Sequence, residues 1–103
     1  MPWAGGDLFT NPTAGTVLVD TGQIASRHNC TPLLVIWASV GIEVVFEHRN
    51  ADNAGTIKDQ VLPVTLSILV LQLKGIALER NERLRIVTRS DVAGECEASI
   101  FYP

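Results

Sequence analysis

The chain has 103 residues, which is about one domain with a single hydrophobic core. Its charged fraction of 18% is below the ~25% typical of globular proteins. The net charge is -3 and the basic residues are scattered among the acids, so composition argues against a nucleic-acid partner, which would need a basic stripe. A lean charge complement also suggests that a partner covers part of the surface.

The longest apolar runs, residues 33–45 and 64–73, are shorter than the ~20 residues that a transmembrane helix requires. The first residues also lack the charged and apolar regions of a secretion signal. We therefore expect no contact with a membrane. Cys30 and Cys96 fit no metal-ligand spacing, and buried free thiols are favoured over a disulfide between them, although pairing across a sheet stays open.

Residues 1–15 are rich in Gly, Pro, Asn and Thr, a composition that favours turns and extended loops over a regular element. This segment is predicted to be an extended N-terminal arm, yet it carries Trp3, Leu8 and Phe9. Large apolar side chains on an arm have to be covered. Either the domain's own core or a neighbouring molecule covers them, and these three residues are the candidate partner-binding residues.

From residue 16 onward, short runs of β-branched and apolar residues alternate with turn residues. Strands are predicted at 16–19, 33–40, 42–49, 56–62, 64–73, 83–89 and 96–102, with 23–26 as a possible continuation of the first. Residues 27–30, 50–55 and 76–82 are predicted to be turns or loops, and Pro63 is expected to end a strand because it cannot donate to a ladder.

The strand at 33–40 is apolar on both faces, which predicts that it is covered on both sides and that Trp37 lies in the core. The strand at 42–49 alternates more clearly, with Ile42, Val44, Phe46 and His48 on one face. Seven or eight short strands and no persuasive helix predict an all-β fold. We expect a jelly-roll-like antiparallel β-sandwich at 16–103, preceded by the arm at 1–15.

Motifs for catalysis or cofactor binding are missing from the sequence, which lacks a nucleophile elbow, a phosphate-binding loop and a zinc-protease helix. His48 and its neighbours on the strand point to opposite faces, so a packed histidine is favoured over a catalytic base. His28 and Cys30 as zinc ligands, and Asp52 and Asp59 as calcium ligands, are weaker alternatives to ordinary turn polarity. We expect no enzyme activity, no cofactor and no metal.

Two segments, FEHRNADNAGTIKDQVLPV and ALERNERLRIVTRSDVAGECEASIFYP, give the chain its layout of loop, basic-apolar strand, Gly turn and closing aromatic strand. This layout resembles the small jelly-roll decoration, or cement, proteins of tailed bacteriophage capsids. The resemblance implies a virion protein on the outer capsid surface. It further implies a homotrimer that binds the major capsid protein and bridges neighbouring capsid subunits.

The same closing pattern also resembles trimeric heads that bind receptors or carbohydrates, such as phage fibre tips. A sugar-binding head needs exposed aromatic residues gathered at one end of the sandwich, for which only Trp3, Trp37 and Tyr102 are available. This alternative is weaker because Trp37 is expected to be buried.

Overall fold

The computed structural model describes residues 3–50, 55–65 and 67–103, and within them the chain forms strands, turns and loops without a helix. Consequently the described residues contain no helix that could span a membrane. The strands are β1 (Trp3–Gly5), β2 (Phe9–Thr10), β3 (Val17–Asp20), β4 (His28–Cys30), β5 (Leu33–Ala38), β6 (Ile42–Arg49), β7 (Thr56–Val64), β8 (Ser67–Gln72), β9 (Ile76–Leu78), β10 (Arg83–Thr88) and β11 (Glu95–Phe101).

Two antiparallel sheets form the sandwich. The first, sheet A, has the strand order β1–β11–β5–β8, with β2 also paired to β11. The second, sheet B, has the order β3–β10–β6–β7, and β4 and β9 form a separate short pair. Successive long strands mostly belong to different sheets, so the chain passes repeatedly from one sheet to the other.

This strand order is that of a jelly roll. The first strand lies beside the last, the third pairs with the tenth, and the central hairpin of β6 and β7 stays within sheet B before the chain returns to sheet A as β8. The predicted all-β jelly-roll sandwich is confirmed.

The core lies between the sheets because the inward positions of each strand are apolar and alternate with outward ones. Sheet A contributes Leu34, Ile36 and Ala38 from β5 and Ile100 from β11, all fully buried. Sheet B contributes, among others, Val44, Leu84 and Ile86, which are fully buried as well. Period-two alternation therefore identified the inward positions of these central strands.

The N-terminal segment differs from the prediction of an irregular arm. Trp3 pairs with Phe101 and Phe9 with Cys96, so β1 and β2 extend sheet A along β11. The Gly6 N–H donates to the Ala98 carbonyl at 2.9 Å between these two short strands. Glycine and proline weaken local strand propensity, but hydrogen bonding to a strand distant in sequence overrides it.

Other element boundaries also shift. Pro63 lies inside β7 rather than ending a strand, which an edge strand allows because one row of its backbone groups has no ladder partner. Parts of two predicted turns, 27–30 and 76–82, pair with each other as β4 and β9. Asn81, with φ at 69°, forms the tight turn that follows. Residues 23–26 form no strand, and most of the predicted loop at 50–55 lies outside the described residues.

Candidate protein-interaction face

The outward side of sheet A carries apolar side chains from all four strands of its main path, together with the polar Ser99, Glu97 and Gln72. Cross-strand pairing aligns Trp3, Phe101 and Leu33 in one row, Val35 and Val70 in the next, and Trp37 with Ile68 in the third. We call these seven residues the outer apolar face. Trp3, Ile68 and Val70 are 55%, 57% and 59% exposed, and the other four are partly buried by their neighbours.

Strand β5 shows why this face is unusual. Its inward residues are fully buried, while Leu33, Val35 and Trp37 point outward and are covered only by their neighbours within the sheet. The prediction that β5 is covered on both sides, with Trp37 in the core, is therefore wrong for the single chain. Apolar residues on both faces indicate a strand that is buried on both sides, and here the second side has no cover among the described residues.

The size of the face can be estimated from sheet geometry. Four strands spaced ~4.8 Å apart and three rows spaced ~6.7 Å apart, with side-chain radii added, give about 400 Å² for this side of the sheet, and the seven apolar residues occupy roughly two thirds of its positions. An apolar patch of this size is close to the lower end of the ~300–600 Å² found for the largest patch of a typical monomer, which is often functional. Two tryptophans and a phenylalanine belong to this face, and aromatic residues are enriched at protein interfaces.

The outward side of sheet B has a different chemistry. Charged pairs cross it, with Glu43 to Arg89 at 3.2 Å, Asp20 to Arg83 at 3.1 Å, and Glu47 bound to Arg85. A stripe of valines runs between these charged rows, at positions 17, 45, 61 and 87. The charged pairs suit a face in contact with water, so the outward side of sheet B is more charged than that of sheet A.

The three candidate residues of the N-terminal segment do not act together. Phe9 packs against the core from β2, whereas Trp3 joins the outer apolar face and lies 6.1 Å from Phe101 between ring centroids. Leu8 is 53% exposed in the link between β1 and β2. The sequence left open whether the domain's own core or a neighbouring molecule covers these side chains. In the structure the core covers only Phe9 of the three.

The aromatic residues named for a sugar site are separated as well. Trp3 lies on the edge strand β1, and Trp37 lies two strands away and one row beyond Val35. Tyr102 instead packs edge-on against His28, at 6.3 Å between ring centroids. These side chains do not form one cluster at an end of the sandwich.

A cleft of about 470 Å³ opens between the two sheets beside the edge strands β7 and β8. Its apolar lining comes from Phe46, Leu71, Leu73 and Ile76. Its polar lining includes His48 and Gln60 together with Lys58 and Lys74, the only lysines of the chain. The sheets separate here because the inward residues of β7 change from Leu62 and Val64, both buried, to the polar Gln60 and Lys58.

His48 is held at the deep end of this region by Glu82. Its Nε2–H donates to Glu82 Oε1 at 2.8 Å, and the same oxygen accepts the Glu79 N–H at 2.8 Å. Burial raises the pKa of Glu82, but the hydrogen bonds from Glu79 and His48 and the charge of His48 outweigh burial and set this pKa below its ordinary value. The histidine is thus a packed, partnered residue, in line with the interpretation favoured from the sequence.

Both cysteines are buried and free. Burial raises the pKa of the Cys30 thiol and of the Cys96 thiol, which keeps them protonated and unreactive. Among the described residues, no group of three or more His, Cys, Asp or Glu side chains is arranged to hold a metal ion.

Fold and surface together define a jelly-roll β-sandwich with an apolar patch on the outward side of sheet A and an open cleft between its sheets. Comparison of the chain with protein-family models, with curated proteins and with solved structures finds no match.

Proposed function

We propose that this protein is a structural assembly subunit that docks on a protein lattice through its outer apolar face. In its specific form the proposal is a decoration protein that binds the major capsid protein on the outer surface of a virion and bridges neighbouring subunits. The observation that carries it is the outward side of β5 and β8, where Val70 and Ile68 are more than half exposed beside Val35 and Trp37.

Burial of this face would contribute to the free energy of docking. Each large apolar side chain that becomes fully buried contributes roughly 1.5–3 kcal/mol. Trp3, Ile68 and Val70 retain half or more of their surface for that purpose. The acidic Glu97, paired with Trp37 at one corner, supplies part of the polar rim that surrounds the apolar centre of a typical interface.

Self-association as a homotrimer is the second half of the proposal and comes from the resemblance to cement proteins. Three copies around a threefold axis would present three outer apolar faces to a lattice with the same symmetry. Light scattering on the purified protein measures the mass directly. A trimer supports the proposal, and a monomer contradicts this half of it while leaving lattice docking to its own test.

The test of docking is co-sedimentation of the protein with capsids assembled from the major capsid protein encoded in the same genome. Val70→Glu places a charge in the outer apolar face, and we expect it to abolish co-sedimentation. The matched control is Val61→Glu, because Val61 is also an exposed valine on an edge strand but faces outward from sheet B.

Equal losses for both variants, or binding that survives Val70→Glu, would refute docking through this face. Failure of the unaltered protein to sediment with capsids, together with detection of the protein elsewhere in the cell, would refute the decoration role itself.

A further inference from the structure

The cleft between β7 and β8 has features that docking through the outer apolar face does not use. Both strands are edge strands, and no described strand pairs with the outer edge of either. β7 ends at Val64 in sheet B, β8 begins at Ser67 in sheet A, and residues of both strands line the cleft. An unpaired edge presents a row of backbone N–H and C=O groups that can accept a further strand.

Charge in the cleft is opposite to that of the whole protein. The chain carries a net charge of -3, yet its only two lysines, Lys58 and Lys74, both line this cleft. The ion pairs among the described residues all use an arginine or a histidine as the cation, so neither lysine pairs with a described acid. Two ammonium groups without an acidic partner in the described part of the chain, beside apolar lining residues, favour a ligand that is both acidic and apolar.

The unpaired edge of β8 beside the cleft favours an extended peptide as the ligand. The cleft volume of about 470 Å³ lies within the range of ~300–1,000 Å³ found for small-molecule sites, which is room for a few side chains of such a peptide. Leu71 points into the cleft from β8, while Val70 on the same strand points to the outer apolar face. A strand added to β8 would therefore send alternate side chains into the cleft and onto the outer face.

We propose that this cleft binds an extended acidic and apolar segment of the partner protein, which adds as a strand to the free edge of β8. Its inward apolar side chains contact Phe46 and Leu71, and its carboxylates pair with Lys58 and Lys74. The proposal rests on the proposed function only in assuming a protein partner, and it specifies the chemistry of that partner's segment.

The probe is a short dye-labelled synthetic peptide with threonine at every second position and with glutamate and valine taking turns at the positions between, so that one face of the added strand carries both acidic and apolar side chains. Binding is followed by fluorescence anisotropy, and the matched probe has lysine in place of each glutamate. We expect saturable binding of the acidic peptide and much weaker binding of the basic one. Amide chemical shifts in the NMR spectrum should change along β8 and at Lys58 and Gln60, but not along β3.

Charge reversal tests the role of the lysines. Lys58→Glu and Lys74→Glu should each weaken the acidic peptide by about five- to ten-fold, since each replaces an attraction by a repulsion in a partly enclosed site. Arg80→Glu makes the same change in net charge at an exposed turn position outside the cleft, and it should leave the affinity unchanged. All three positions are exposed, so the variants are expected to fold.

Equal weakening by Arg80→Glu would reduce the effect to net charge and overturn the proposal. Tighter binding of dodecanoate than of the peptide, with displacement of the peptide, would assign the cleft to small anionic amphiphiles and overturn it as well. Trp3→Glu separates the two proposals, because it alters the far edge of sheet A and is expected to reduce capsid binding without changing peptide affinity.

Discussion

Neighbouring residues of this chain have different roles, and the N-terminal segment shows this most clearly. Phe9 packs into the core, whereas Leu8, its neighbour, is 53% exposed. The sequence around positions 8 and 9 does not distinguish the two side chains. The difference arises because position 9 pairs with Cys96, which is distant in sequence. Which apolar residue of such a segment is structural depends on a partner strand far along the chain.

Substitution of these two neighbours by alanine should give different outcomes. Phe9→Ala removes a partly buried ring from the core and is expected to lower the free energy of unfolding by about 1.5–3 kcal/mol, below the cost for a fully buried phenylalanine. Leu8→Ala should change it by less than about 0.5 kcal/mol. Urea denaturation measures both, and equal losses would contradict the placement of Phe9 in the core.

The Glu82 carboxylate should give the protein a component of acid sensitivity. Its pKa is lower in the folded state than in the unfolded chain, so its contribution to stability is complete above the unfolded value, ~4.3, and is lost as pH falls through the folded value. Glu82→Gln should therefore flatten the loss of stability below that pH.

At neutral pH the same change should cost about 1–2 kcal/mol, because the hydrogen bonds from His48 and Glu79 lose their charged acceptor. Glu97→Gln, at an exposed position, is the control. Thermal unfolding measured as a function of pH compares the three proteins, and identical acid limbs for Glu82→Gln and the unaltered chain would contradict this role of Glu82.

At the scale of elements, the long strands were predictable and the short ones were not. Strands β5, β6 and β10 have clear alternation over six or eight residues, and the structure places them close to the predicted bounds. Strands β1, β2, β4 and β9 have three residues or fewer and depend on pairing at a distance. Three residues are too few for a period-two pattern to emerge.

The outer apolar face could also be predicted only in part. Its signal was present in the sequence, since positions 33–38 are apolar on both sides of the strand. That pattern predicts burial on two sides without saying whether the second cover comes from this chain or from another molecule. The cleft could not be predicted from the sequence in this way. Lys58 and Lys74 are separated by sixteen positions, and only the folded sandwich brings both into the lining of one cleft.

The close packing of the N-terminal segment against β3 and β11 depends on Gly6. A Cβ at Gly6 would clash with the Leu18 carbonyl and would lie 2.8 Å from the Ala98 carbonyl, and both are backbone atoms of paired strands. Gly6→Ala should therefore cost about 2 kcal/mol or more, since β1 must shift away from β11.

Gly41→Ala provides the comparison, because its nearest contact would be the Val64 carbonyl at an ordinary 3.9 Å. We expect it to be neutral or slightly stabilising. Chemical denaturation should separate the two variants, and similar midpoints would show that the backbone at Gly6 relaxes at little cost.

At the scale of the whole molecule, the sandwich has two unequal outer surfaces and two protected thiols between them. Cys30 is 3% exposed on the short strand β4 and Cys96 is fully buried on β11, so we expect both thiols to become accessible when the strands around them open. Raised pKa values add to this protection because the thiolate is the reactive form.

The reaction of these thiols with a disulfide reagent should therefore follow global unfolding. We expect slow modification of both cysteines under native conditions and fast modification in denaturant, as measured by absorbance of the released thiolate. Fast native reaction of Cys96 would indicate that β2 detaches from β11 independently of the rest.

The position of β11 also determines when the chain can fold during its synthesis. This strand lies between β1 and β5, so sheet A exists as two unconnected parts until residues 95–101 leave the ribosome. A nascent chain without β11 lacks the strand that joins the two parts of sheet A, so β1 and β2 have no partner. We therefore expect the sandwich to close in one step, when β11 pairs with β1, β2 and β5 at the same time.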